Sequence, residues 1–195
     1  MSVKEKISKV IDNWFLYEPL LFEVYCTHKL EPNCDMKCKF RTGKHRIEYN
    51  PQLLENHSTA EIEKLLKIEI TRILLKHPYQ RVPLHPNHSA LSTASDVTLA
   101  EHCDFENDLK GADYYNLNGQ LSFEEYYKKL YAICPEIESG EYISPETEYG
   151  EIWEYEAAAD ASALWDEDEQ MCDSINQKIQ NAIKTKQWGS ISRKF

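Results

Sequence analysis

Three serines are each followed three residues later by a glutamate: Ser2 with Glu5, Ser58 with Glu61, and Ser122 with Glu125. In this arrangement the hydroxyl and the carboxylate each take an orphan backbone N–H of a helix's first turn, so the pattern marks where helices begin. The first box predicts a helix with Val3, Ile7, Val10, Ile11, Trp14 and Phe15 on one side, ended or kinked by Pro19. The second predicts a helix running to about His77, where Pro78 stops it. The third turns Phe123, Tyr126, Tyr127 and Leu130 inward. A fourth helix is expected over 166–186, because Ile175, Ile179 and Ile183 recur every four residues. Asp166, Glu167, Asp168 and Glu169 at its start and Lys184 and Lys186 at its end suit the helix dipole, and Gly189 is its expected stop. Residues 87–102 are a further candidate, with Ala90, Leu91, Ala94, Val97 and Leu99 apolar. Residues 38–41 and 45–49 flank Thr42, Gly43 and Lys44 as a β-hairpin whose apolar members are Phe40, Ile47 and Tyr49. The expected fold is α+β and mainly helical with a small hairpin or sheet, in one domain over 1–195.

Charge narrows the function classes. The net charge is −11, which argues against a broad electrostatic grip on nucleic acid or an anionic membrane. No stretch reaches the ~18 apolar residues of a membrane span. Six cysteines without a secretion signal read as reduced thiols in a cytoplasmic protein. The negative charge is concentrated: residues 136–169 hold thirteen acids and no Lys or Arg, leaving the remainder close to neutral. This segment reads as a solvated acidic loop and helix, or as a docking surface. Trp153, Tyr155 and Trp165 stud it, as staples to the body or as anchors for a protein partner.

The helix from Ser58 carries the most chemistry. Ile62, Leu65, Leu66, Ile70 and Ile73 form one broad arc, and Glu69 falls inside it. A carboxylate on an apolar face must be paired, protonated or metal-bound. Arg72, three residues on, is the nearest local partner. The other reading is a functional carboxylate lining a cleft, as general-base chemistry uses.

At these residues the chain resembles a known family. Residues 43–51 read Gly-Lys-His-Arg-Ile-Glu-Tyr-Asn-Pro, followed by the Ser58 box, then Leu66 to Pro78, with Arg81 beyond. Ala94-Ser95-Asp96, the stretch from Gly119 to Tyr127, and Gly189-Ser190 follow in order. The ordered set is similar to the metallopeptidase domain that precedes a von Willebrand A-like domain in bacterial proteins associated with AAA-type ATPases. The resemblance implies a zincin-like core, and partners of the von Willebrand A or AAA-type ATPase kind. It also implies a helix reading His-Glu-x-x-His, whose two imidazoles share one face and one zinc ion. Here those positions are Ile68 and Arg72, and only the general-base position survives, as Glu69. Isoleucine ligates nothing and arginine is permanently charged. Asp96 best matches the downstream ligand, and His77 lies about 12 Å along the axis from Glu69.

The expectation is therefore a non-catalytic, metallopeptidase-like interaction or regulatory protein with no metal. In it the Arg72 guanidinium takes the former cation position and neutralises Glu69 and Asp96. The alternative is a zinc-dependent hydrolase with a rearranged ligand set around Glu69, drawing on His85, His88 and Asp96, or on His77. A third reading is an acidic binding module acting through 136–169. Two further constellations are weaker. Residues 114–125 resemble a calcium-binding EF-hand loop, but the first position is Tyr114 rather than Asp. Cys34 and Cys38, with Cys26 and His28 upstream, lack the matched second pair of a zinc knuckle.

Overall fold

The computed structural model describes residues 1–105, 107–135, 149–187 and 189. All three boxes form. Ser2, Ser58 and Ser122 accept from the N–H of Glu5, Glu61 and Glu125, and each carboxylate reaches back to its serine's backbone. They open α1 (Val3–Tyr17), α4 (Thr59–Leu74) and α7 (Phe123–Leu130). Between α1 and α4 lie α2 (Pro19–Tyr25), β1 (Lys29–Pro32), β2 (Phe40–Gly43), β3 (Arg46–Tyr49) and the one-turn α3 (Pro51–Leu54). After α4 come α5 (His77–Gln80), α6 (His88–His102), a 3-10 turn at Ala112–Tyr115, α7, α8 (Tyr149–Ala161) and α9 (Glu169–Thr185). The architecture is α+β, mostly helical with a small three-stranded sheet. Among the described residues no helix is long and apolar enough to cross a membrane.

The sheet has the order β1-β3-β2. β2 and β3 are antiparallel, with Thr42 opposite Ile47, and β1 runs parallel to β3, with Leu30 opposite Ile47. The hairpin turn falls on Lys44 and His45, one residue later than expected. Both have positive φ, 48° and 60°, as a two-residue hairpin loop of matching twist requires. Gly43 ends β2 at φ 152°, and a Cβ there would lie 2.2 Å from the carbonyl oxygen of Leu164. Only glycine lets the hairpin and the chain after α8 touch backbone to backbone.

Two apolar clusters form. The larger gathers α1, α2, the sheet, α4 and α9 around Ile7, Trp14, Ile47, Leu66, Ile70 and Ile175. Each such side chain contributes about 1.5–3 kcal/mol by leaving water. The second joins α6 and α7 through Leu91, Ala94, Phe123, Tyr126 and Leu130, with Trp165 packed in. α4 faces the first cluster, and α6 belongs to the second.

Several sequence expectations shift by a turn. Phe15 is exposed rather than inward; it sits one position round the helix from buried Trp14 and packs edge-on against Phe22 at 5.2 Å. The helix from Ser58 ends at Leu74, because Lys76 turns left-handed (φ 59°) and His77 begins a new turn. α9 is stopped by left-handed Lys186, three residues before Gly189. Of its periodic isoleucines, Ile175 is buried and Ile183 is half-exposed. The EF-hand-like stretch lies against a side chain of α6. Glu101 of α6 accepts from the N–H groups of Ala112 and Gln120 at 3.1 and 3.4 Å. β1, α2 and the turns α3 and α5 carry no strong periodicity and were not expected. Residues 136–148 of the acidic segment lie outside the described residues.

Candidate functional site

The two apolar clusters meet across a charged seam. Glu69 and Arg72 project from α4 and Asp96 from α6. Arg72 Nη1 donates to Glu69 Oε1 at 2.6 Å, and Nη2 donates to Asp96 Oδ1. Thr42 of β2 completes the group, its hydroxyl donating to Glu69 Oε2 at 2.9 Å. Glu69 and Arg72 are only 4% and 5% exposed, which places the expected carboxylate inside the apolar face. The Asp96 side chain keeps 30% of its surface, so the seam opens to solvent on that side. Arg72 Nε is buried without a hydrogen-bond partner among the described residues.

The electrostatics follow from burial and from one shared cation. Burial raises the pKa of Glu69, with Arg72 and the Thr42 hydroxyl opposing it. Burial likewise raises Asp96 against the pull of Arg72. For Arg72 burial works against the charged form, but Asp96 and Glu69 outweigh it and hold the guanidinium charged. Both Glu69 oxygens accept a hydrogen bond, so this is the better satisfied carboxylate of the two.

A second cluster lies on the outer side of the hairpin. Arg41 Nε donates to Glu48 Oε2 at 2.7 Å and its Nη1 pairs with Asp160 of α8. The other Asp160 oxygen accepts from the backbone N–H of Lys37 at 2.7 Å and of Cys38 at 3.3 Å, and from Cys38 Sγ at 3.4 Å. Burial first, then Asp160, push the Cys38 thiol far above its ordinary value. Cys38 is therefore a buried thiol held in its protonated form, and the six cysteines form no disulfide among the described residues.

The remaining sequence candidates are dispersed. Ile68 is buried at 4% exposure on the side of α4 that Arg72 shares one turn later. His77 donates or accepts at Ser95 Oγ (2.8 Å) and stacks on Phe123 at 4.4 Å; burial and the charges of Arg81 and Arg72 hold it well below its usual pKa. His85 is exposed, and His88 bonds Ser162 Oγ at 3.1 Å. His88 and Asp96 are eight residues apart on one straight helix, about 12 Å along its axis. The rearranged set of His85, His88 and Asp96 is thus not assembled. No group of three or more His, Cys, Asp or Glu that could hold a metal occurs among the described residues. The residues at the seam do not fit zinc, because a permanent cation occupies the space between the two carboxylates that a second cation would need.

Thr42 and Asp160 were not anticipated. Thr42 was readable in principle, since it lies two residues from inward-facing Phe40 and strand side chains alternate. Asp160 carried a weaker signal, a lone acid in an alanine run whose partners are 119 to 123 residues away. No family model matches the chain, and comparison with curated proteins and with solved structures finds no match.

Proposed function

We propose that this chain is a non-catalytic, metallopeptidase-like protein that acts as an interaction or regulatory module. One observation carries the reading: the Arg72 guanidinium sits between Glu69 and Asp96, the surviving acidic positions of the family pattern. A working zinc site needs converging donors and an open position for water. Arg72 supplies neither, and its charge takes over the electrostatic part of a metal ion by neutralising buried carboxylates. In this reading the pairing of α4 with the hairpin and α6 is a zincin-like core kept for its shape. Six cysteines that form no disulfide among the described residues suit a reducing, cytoplasmic compartment. Partners of the von Willebrand A-like or AAA-type ATPase kind follow from the resemblance, and an acidic chain favours a protein partner over nucleic acid.

The test is the metal content of the untagged protein by elemental mass spectrometry, before and after a chelator, with melting curves alongside. The expected result is no stoichiometric metal and a melting temperature indifferent to chelator or added zinc. One tightly held zinc per chain overturns the reading and makes peptide hydrolysis the next assay.

A further inference from the structure

An asparagine can react with its own backbone. The amide nitrogen of the next residue and the side-chain carbonyl carbon close a five-membered ring, so the reaction is intramolecular. A fold suppresses it by holding either partner: the N–H that must attack or the side-chain amide that must turn to meet it. Nearly every asparagine of this chain is held in one of these ways. Asn13, Asn176 and Asn181 lie inside α1 and α9, where the next N–H belongs to the helix ladder. The N–H groups that follow Asn56, Asn107 and Asn116 donate to the carbonyls of Leu54, Phe105 and Ala112 at 3.0, 2.9 and 3.0 Å. Asn50 precedes Pro51, which has no N–H. The Asn33 amide donates to Glu48 and accepts from Asp35 N–H, both at 3.0 Å. The Asn87 amide donates to the Cys134 carbonyl at 3.0 Å and caps α6.

Asn118 is the exception. It lies between the 3-10 turn and α7 and precedes Gly119, the only Asn-Gly step in the sequence. Both residues are exposed, and neither makes a hydrogen bond among the described residues. Glycine has no Cβ to obstruct the approach, and its backbone rotates most freely. Glycine is also needed here for packing, since a Cβ at 119 would lie 2.9 Å from Glu101 Oε2. The same carboxylate accepts from Ala112 N–H at 3.1 Å and Gln120 N–H at 3.4 Å, latching this connection onto α6.

We propose that Asn118 is a spontaneous modification site, and that its conversion to aspartate and isoaspartate releases the Glu101 latch. The Gly119 nitrogen attacks Cγ of Asn118 and gives its proton to solvent. The new C–N bond closes a cyclic imide as ammonia leaves. Water then opens the imide. Attack at the side-chain carbonyl gives aspartate; attack at the main-chain carbonyl gives isoaspartate, whose backbone runs through Cβ. The net change is one water taken up and one ammonia released. Either product puts a new carboxylate beside Glu101, and isoaspartate also lengthens the main chain two residues before the Gln120 N–H that Glu101 holds. Like charge and altered spacing both oppose the latch. The proposal is independent of the Arg72 seam.

The test incubates the folded full chain in mildly alkaline ¹⁸O-water and follows heavy oxygen at each asparagine by peptide mass spectrometry. Asn118 is expected to take up label within about tenfold of the rate in the free peptide acetyl-Leu-Asn-Gly-Gln-Leu-amide, and at least about tenfold faster than any other asparagine. The N118Q variant, altered only at an exposed side chain, is expected to lose this labelling and keep its melting temperature. Amide exchange by NMR reads the latch: in the converted chain the Ala112 and Gln120 N–H groups are expected to exchange at least about fivefold faster. Labelling of Asn118 more than about tenfold slower than in the peptide overturns the proposal, because the fold then holds the step as it holds the others. So does another asparagine reacting as fast, or unchanged Ala112 and Gln120 exchange in fully converted chain.

Discussion

Arg72 Nη1 lies 2.6 Å from Glu69 Oε1, one helical turn back on α4, and the same guanidinium reaches across to Asp96 on α6. This is a local ion pair turned into a bridge between helices. Truncating Arg72 to Ala leaves Glu69 buried with only Thr42 to satisfy it. The expected cost is about 3–5 kcal/mol, read as a lower midpoint in urea at unchanged slope. Replacing Glu69, Arg72 and Asp96 together with Leu, Met and Leu is expected to recover most of that loss, because removing a whole buried ion group is far less harmful than breaking it. A near-neutral Arg72→Ala would show that the seam is solvated and carries no stress.

If the seam keeps the geometry of a metal helix, histidines at 68 and 72 restore ligands on one face of α4. The I68H/R72H variant is then expected to bind about one zinc per chain, with Asp96 as a third donor and Glu69 beside it. Equilibrium dialysis against zinc, with wild type as control, decides this. Failure of the variant to take up zinc while remaining folded would count against the metallopeptidase-like ancestry.

Acid should loosen the fold through two buried imidazoles. Burial lowers His28 from 6.5 to about 4, with its Nε2 held 2.5 Å from the Tyr79 hydroxyl, and His77 is lowered in the same direction. Below pH 6.5 the unfolded chain binds a proton that the folded site refuses, so this stability is complete above 6.5 and falls as pH drops toward 4. Between pH 7 and 5 His28 alone is expected to lose roughly 2 kcal/mol. Urea midpoints across that range, for wild type and for His28→Gln, provide the check: the variant's profile should be flatter. Equal slopes would place the proton uptake elsewhere.

Gly43 tests the hairpin's contact with the chain beyond α8. Gly43→Ala puts a methyl into the Leu164 carbonyl, backbone against backbone, at a φ that alanine disfavours. The expected loss is about 3 kcal/mol or more. Comparison with Gly119→Ala is informative, since its Cβ meets only the carboxylate of Glu101, at 2.9 Å, and a side chain can move aside. Equal losses for the two would mean that the Leu164 contact yields as easily.

Asp160→Ala should free one end of α8. Lys37 and Cys38 lose their acceptor and Arg41 keeps only Glu48. The expected result is a loss of about 2–4 kcal/mol and at least a tenfold faster labelling of Cys38 by a thiol reagent, since a 1.4 kcal/mol easier local opening already gives tenfold. Unchanged labelling would show that the small cluster of Met36, Cys38 and Ala161 holds α8 by itself.

What the sequence revealed was local. The three serine–glutamate boxes named three helix starts to the residue, because both partners lie within one turn. Glu69 was recognisable as an inward carboxylate from helical periodicity, and Arg72 as its neighbour from spacing. The parallel strand β1 was not, because its four residues, Lys-Leu-Glu-Pro, carry no alternation and gain their place only by pairing with β3. The same limit hid Asp160. Its partners are set by how distant parts of the chain pack, and no spacing within a helix or hairpin encodes that.

The long separations around the hairpin have a kinetic consequence. Lys37, Cys38, Arg41 and His45 find their partners in Asp160 and Asp168 between 119 and 123 residues later. During synthesis β2 is therefore made long before α8 exists to shield it. At about 5–20 residues per second the ribosome needs on the order of 10 s to supply the missing helix. Throughout that wait β2 is an open sheet edge, and such an edge invites pairing with another chain. Arg41 places charge on that edge from the start, paired with Glu48 on the central strand β3. Charge on an exposed edge disfavours pairing with a like strand, so this ion pair suits the unshielded hairpin as well as the finished fold.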